Sequence, residues 1–288
     1  EALRKRMTLL VMLLAGLFAT SLATSTFEAQ AQNTEWTLKY QCLNPKAITV
    51  ETVVTVPDPD NPDLPKIEVR QEKYWYQVMY LKNPTKEKIT VPFEALLLVD
   101  TVDKVEDPDS GEEIDVSNLL PAFKGEKPNY IVNEETGNRL LIPGTAHKPI
   151  FDSVVHNKII EQLRIKPIQE HKYKKCYNNE VIVTEPLEKY ESHLDLIKPF
   201  EAEQVRQVLL VFKDLNPGFD RLAYRYSGLT NKYEFENEED KLTGKGAKRI
   251  LRLTYARPGD EYDTDDVNPE PDDLFHIESP EWILEPIR

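Results

Sequence analysis

Hydrophobic positions alternate with a period of two over much of this chain, and that period predicts strands. Along "KYWYQVMYLK" (73–82), Tyr74, Tyr76, Val78 and Tyr80 fall on one face and Trp75, Gln77, Met79 and Leu81 on the other. Both faces are apolar at the middle, so the pattern predicts a strand covered on two sides at the centre of a sheet. Ahead of it, "AITVETVVTV" (47–56) predicts a second strand, ended by "PDPDNPDLPK", whose prolines cannot continue a ladder and mark a surface loop. After it, Asn83-Pro84-Thr85 predicts a turn, and "ITVPFEALLLVD" two short strands interrupted at Pro92.

The second half returns to the same period. "QVLLVFKD" places Val208, Leu210 and Phe212 on one face. "DRLAYRYS" sends Leu222, Tyr224 and Tyr226 inward and Arg221, Ala223 and Arg225 outward, and "RILRLTYAR" sends Leu251, Leu253 and Tyr255 inward. Such alternation is that of half-buried antiparallel strands, and "EWILEPIR" predicts a closing strand anchored by Trp282. One segment breaks the period: in "IFDSVVHNKIIEQL", Phe151, Val155, Ile159 and Leu163 recur every four residues, predicting an amphipathic helix. Residues 103–144, with polar turns "DPDSGEEID", "KGEKPN" and "NEETGN", read as a long loop insertion carrying one hairpin. Residues 260–273 read as a loose acidic segment, and no repeat at a fixed period is present. The sum predicts an all-β chain, an immunoglobulin-like antiparallel β-sandwich with one helix, against a β-barrel as the other closed arrangement.

The first residues change the picture of compartment. Arg4, Lys5 and Arg6 precede an apolar run from Thr8 to Ala19 and a small-residue stretch ending Ala29-Gln30-Ala31. That order predicts a signal peptide over 1–31, because the apolar run is short of the about 20 residues that span a bilayer. Its removal leaves 32–288 as one elaborated domain, exported to the periplasm or cell surface with no membrane span. The formal charge of -14 then becomes -15, since three cations and two carboxylates leave. A field of that sign with no basic stripe argues against nucleic acid as partner.

Two cysteines, Cys42 and Cys176, leave two readings open in an oxidising compartment. One is a bridge closing a long loop, stabilising by about 4 to 5 kcal/mol in the chain-entropy picture. The other is two buried thiols.

Five segments, in order, carry a resemblance: "YWYQVMYLKNPTKEKITVPFEALLLVD", "HKPIFDSVVHNKI", "VLLVFKDLNPGFDRLAYRYSGLTN", "LRLTYARPGDEYD" and "EWILEP". They resemble a family of uncharacterised exported proteins common in planctomycete bacteria. The matching positions are Tyr80 to Thr85, Val211-Phe212, Ser227-Gly228-Leu229 and Arg257 to Tyr262, within residues 70–285. The resemblance implies a secreted, immunoglobulin-like envelope protein. It is also similar to the extracellular sandwich modules on bacterial surface proteins, which bind or stiffen.

Chemistry is sparse. "LTGKGAKR" lacks the phosphate-loop pattern. Ser192, His193 and Asp195 are too close in sequence for a triad, whose members come from separate elements, and neighbours on one strand point apart. His147, His156, His171, His193 and His276 have no metal-ligand spacing. Calcium is the one cofactor with a physical case, since acidic turns suit a hard cation. Two places gather oxygen ligands: Asp107, Asp109, Glu112 and Asp115, and then Asp260, Asp263, Asp265 and Asp266.

Strand packing without a convergent polar group points to a non-enzymatic structural or interaction module of the envelope, a subunit of a larger assembly. Its contacts are expected through strand edges and the insertion, with an envelope protein or with further copies of itself. Two alternatives stand beside it: a calcium-dependent binding or adhesion module, and an envelope hydrolase using paired carboxylates.

Overall fold

The computed structural model describes residues 35–59, 64–165, 187–216, 218–235, 237, 241, 246–256, 276–277 and 280–286. The fold below is that of the unit Thr37–Arg288. The expected signal peptide, Cys176 and the segment 260–273 lie outside the described residues.

In chain order the strands are β1 (Lys39–Cys42), β2 (Lys46–Pro57), β3 (Pro65–Lys82), β4 (Glu94–Val99), β5 (Lys104–Glu106), β6 (Glu113–Asp115), β7 (Tyr130–Val132), β8 (Arg139–Leu141) and β9 (Thr145–His147). Helix α1 (Ser153–Ile165) follows, and then β10 (Glu191–Ser192), β11 (Val205–Lys213), β12 (Arg221–Ser227), β13 (Tyr233–Glu234), β14 (Ala247–Ala256), β15 (His276–Ile277) and β16 (Glu281–Pro286). The unit is therefore mostly β, as its alternating aromatic and β-branched residues dictate.

One sheet is built on β3. Its first part pairs with β2, from Pro57 opposite Pro65 to Lys46 opposite Tyr76, and its last part with β1 and β11. A second sheet runs β13-β14-β12-β4-β9, with β15 and β16 also on β14. All these pairings are antiparallel except that of β10 with β11. The sheets face each other through aromatics: Phe212 meets Tyr224 edge-on at 5.7 Å between ring centres, and Trp75 meets Phe219 at 4.9 Å.

Each sheet is also covered on its outer face. Val155, Ile159 and Leu163 of α1 pack on Tyr74, Tyr76, Val78, Leu209 and Val211, which is why both faces of the central strand are apolar. The helix begins where Asp152 Oδ1 accepts the backbone N–H groups of Val154 (2.8 Å) and Val155 (3.2 Å), a side-chain N-cap. Phe151 precedes that cap and is half exposed, its ring 5.6 Å from His156, so it staples the helix entry and does not extend the buried stripe.

The other sheet is covered by the 103–144 insertion, whose Leu120 and Phe123 pack on Leu96, Leu98, Ala146 and Ala223. The insertion holds two hairpins, β5–β6 and β7–β8, where one was expected. Their strands are three residues long, too short to show a period. For the same reason of cover, Ala223 and Arg225 point outward as expected yet are buried. The "ITV" segment forms no strand; only Ile89 bridges Phe200, and β4 stands alone after Pro92. The closing strand is held by buried Ile283, whereas Trp282 stays partly exposed against Tyr40.

Candidate functional site

Asp107 and its neighbours form the first acidic turn. The Asp107 carboxylate is buried and accepts four hydrogen bonds: from the Asp109 backbone (3.0 Å), Asn138 Nδ2 (3.1 Å), Thr136 Oγ1 (2.8 Å) and Asn133 Nδ2. Chiefly through the Asp109 N–H, these bonds hold its pKa down to about 2. They lock the β7–β8 turn onto the β5–β6 turn, so the insertion is a fixed cap. Asp109 shares Asn138 with Asp107 (2.8 Å). The Glu112 carbonyl closes the turn by accepting the Asp107 N–H. Asp115 lies at the base of its hairpin, opposite Lys104, and accepts the Ser117 N–H. Among the described residues no group of three or more His, Cys, Asp or Glu side chains is arranged to hold a metal ion. Asp260, Asp263, Asp265 and Asp266 lie outside the described residues. Cys42 is buried on β1, while Cys176 lies outside the described residues, so both readings of the cysteines stay open.

Ser192 and Asp195 do meet, contrary to the expectation that they point apart. The chain leaves β10 at His193 into a 3-10 turn (His193–Ile197), whose spacing returns Asp195 to Ser192. Asp195 Oδ2 accepts both the backbone N–H (3.0 Å) and the hydroxyl (2.9 Å) of Ser192, and Lys198 lies 2.9 Å from Oδ1. Led by Lys198, these contacts lower the Asp195 pKa to about 2. The serine hydroxyl is thus bound directly to the carboxylate as a cap, with no imidazole between them. His156 and His193 sit in the field of Asp195, but burial dominates and lowers both pKa values.

Buried polar side chains knit the layers. Gln77 on β3 donates from Nε2 to the Leu43 carbonyl (3.0 Å) and to the Tyr255 hydroxyl (2.7 Å), and accepts from the Tyr226 hydroxyl. Arg206 is buried and saturated: it donates to Glu191, to the Lys198 carbonyl (2.8 Å) and to the Asp195 carbonyl (2.6 Å).

Among the described residues, two open features bear on function. The first is a cleft of about 270 Å³ on the covered face of the second sheet, lined among others by Leu96, Leu120, Phe123, Arg225, Lys248 and Glu285. The second is a ribbon formed where β2 and β3 run on beyond β11, which ends opposite Tyr74. There Val53 lies opposite Val69 and Thr55 opposite Ile67. Val53, Ile67 and Val69 are 68%, 70% and 65% exposed and share one face. The sequence pattern contained the ribbon as a strand, but not its projection, because nothing in a period tells where the neighbouring strand stops.

No family model, curated protein or solved structure matches the chain.

Proposed function

We propose that this protein is a non-enzymatic module of the bacterial cell envelope, exported by its N-terminal segment, which docks to another envelope protein through the β2–β3 ribbon. The observation that carries this reading is the exposed Val53, Ile67 and Val69 stripe. A two-stranded ribbon is marginal alone in water, and its open edges and apolar face are those of a strand awaiting a neighbour. Charge selects the kind of partner. Two exported copies at -15 each repel, so the occupant is a less acidic protein and not a second copy.

The finer fold reading is immunoglobulin-like. Taking β1 with β2 as strand A, β3 as B, β4 as C, β9 as C′, β10 as D, β11 as E, β12 as F and β14 as G, the neighbours run A-B-E-D and C′-C-F-G. This chain departs from that plan in its parallel D strand, in the insertion between C and C′, and in the helix between C′ and D. The sequence resemblance to exported planctomycete proteins supports the same compartment and plan.

The test is Ile67→Glu with Val69→Glu, both on exposed positions. The variant keeps the melting temperature of the parent but leaves the high-mass envelope fraction and migrates as a monomer. A variant that stays in that fraction contradicts the ribbon as the docking element.

A further inference from the structure

We propose that the cleft on the second sheet binds an organic monocarboxylate with a short apolar body, seated on Arg225. Arg225 differs from the other buried or half-buried arginines in its hydrogen bonding. Arg206 uses all three guanidinium nitrogens. Arg252, on the same sheet face as Arg225, gives Nε and Nη2 to Glu281 and Nη1 to Asp103 and the Ser117 carbonyl. Arg225 is 2% exposed, yet Nη2 is engaged at 3.2 Å from Glu285 Oε1, while among the described residues Nε and Nη1 have no hydrogen-bond partner. A buried cation with unmet N–H groups destabilises a fold, and this one lines a cleft. Such a group calls for an acceptor from outside the chain.

The lining sets the chemistry of that acceptor. Arg225, Lys148 and Lys248 face Glu94 and Glu285, leaving one net positive charge. Glu285 is already held by two cations, Arg225 and Lys248 (2.9 Å). One negative charge balances the set; a dianion would be repelled by the two carboxylates. The walls are Leu96, Leu120, Phe123 and Ile250, which suit an apolar body. A volume of about 270 Å³ equals roughly nine waters of liquid, room for about ten non-hydrogen atoms. The guanidinium is shielded from bulk water, so seating the acid on it requires a local shift of the partly buried Leu120 and Phe123 that line the cleft. A planar guanidinium fits a planar carboxylate better than an ammonium does, which gives a reason for arginine here.

This site does not depend on ribbon docking, and ribbon variants leave it unchanged. The test is calorimetric titration of the full chain with 3-phenylpropionate, beside its neutral amide and the dianion phenyl phosphate. Saturable one-site binding of the acid is expected, at least tenfold tighter than either control. Arg225→Gln and Leu120→Trp, which sets a larger side chain among the lining residues, each weaken it at least tenfold. A peptide ending in phenylalanine with a free carboxylate distinguishes sources: tighter binding than the small acid assigns the site to a chain end, weaker binding to a free acid. Absence of saturable binding, equal binding of the amide, or full binding by Leu120→Trp overturns the proposal. If Arg225→Gln does not fold, Leu120→Trp decides alone.

Discussion

Replacing Gln77 by Leu removes a buried side chain that ties β3 across the interlayer to β12 and β14. Gln77 is fully buried and serves three groups: the Leu43 carbonyl, the Tyr255 hydroxyl and the Tyr226 hydroxyl. Each buried group left without its partner costs about 1 to 3 kcal/mol. Against that, the leucine no longer carries a buried amide and adds apolar burial of about 1.5 to 3 kcal/mol. Taking the middle of these ranges, the expected net loss is about 4 kcal/mol, or roughly 10 °C in melting temperature for a chain of this size. Urea unfolding followed by tryptophan fluorescence reads it, since Trp75 lies on the same face of β3 two residues away. Tyr226→Phe added to Gln77→Leu removes one stranded donor and recovers about 1 kcal/mol. A loss below about 1 kcal/mol, or a double variant no more stable than the single, refutes the reasoning that this glutamine is a structural requirement of the interlayer.

Gly228 has φ +76°, and a Cβ there would stand 2.2 Å from the Pro92 carbonyl oxygen. Gly228→Ala should therefore lower stability by about 3 kcal/mol or more, while Gly137→Ala, with φ +73° but open space, loses only about 1 kcal/mol; equal urea midpoints for the two would contradict the clash. Acid sensitivity should come in two steps. Burial lowers the folded-state pKa of His147, His156 and His193 below 6.5, so the unfolded chain binds more protons and stability falls as pH drops through that value. Glu72, held down by Lys213 and Tyr74, joins Asp107 and Asp195 at about 2, so the stability they add above about pH 4 is lost as pH falls toward 2. Melting temperatures from pH 8 to pH 3 that stay flat would contradict both assignments.

The strands of the two sheets were legible because their side chains alternate over many residues. Tyr74 to Leu81, Val208 to Phe212, Leu222 to Tyr226 and Leu251 to Tyr255 each sort onto the faces the period assigns. The helix was legible through Val155, Ile159 and Leu163, but not its first turn, because Asp152 starts it after Phe151. What escaped depends on cover. A period of two says which way Arg225 points, not that Leu120 and Phe123 from a loop more than a hundred residues earlier lie on that face. Gln77 shows the same limit from the inside. One polar residue within the run Tyr74 to Leu81 was a signal, but its partners Tyr226 and Tyr255 are brought to it only by the facing of two sheets. Asp107 carries the reverse lesson, since an acidic turn that suits a cation is saturated by Asn133, Thr136 and Asn138 from the next hairpin.

The proposed docking through the ribbon has its own reporters, the exposed Lys66 and Lys73. Cross-linking mass spectrometry with an amine-reactive reagent on intact envelopes of the producing cells reads that docking. Links from Lys66 and Lys73 to one dominant protein other than itself are predicted. Links to that neighbour only from lysines on the body, such as Lys158 or Lys189, or links from the ribbon only to further copies of this chain, would rule the ribbon out as the docking element.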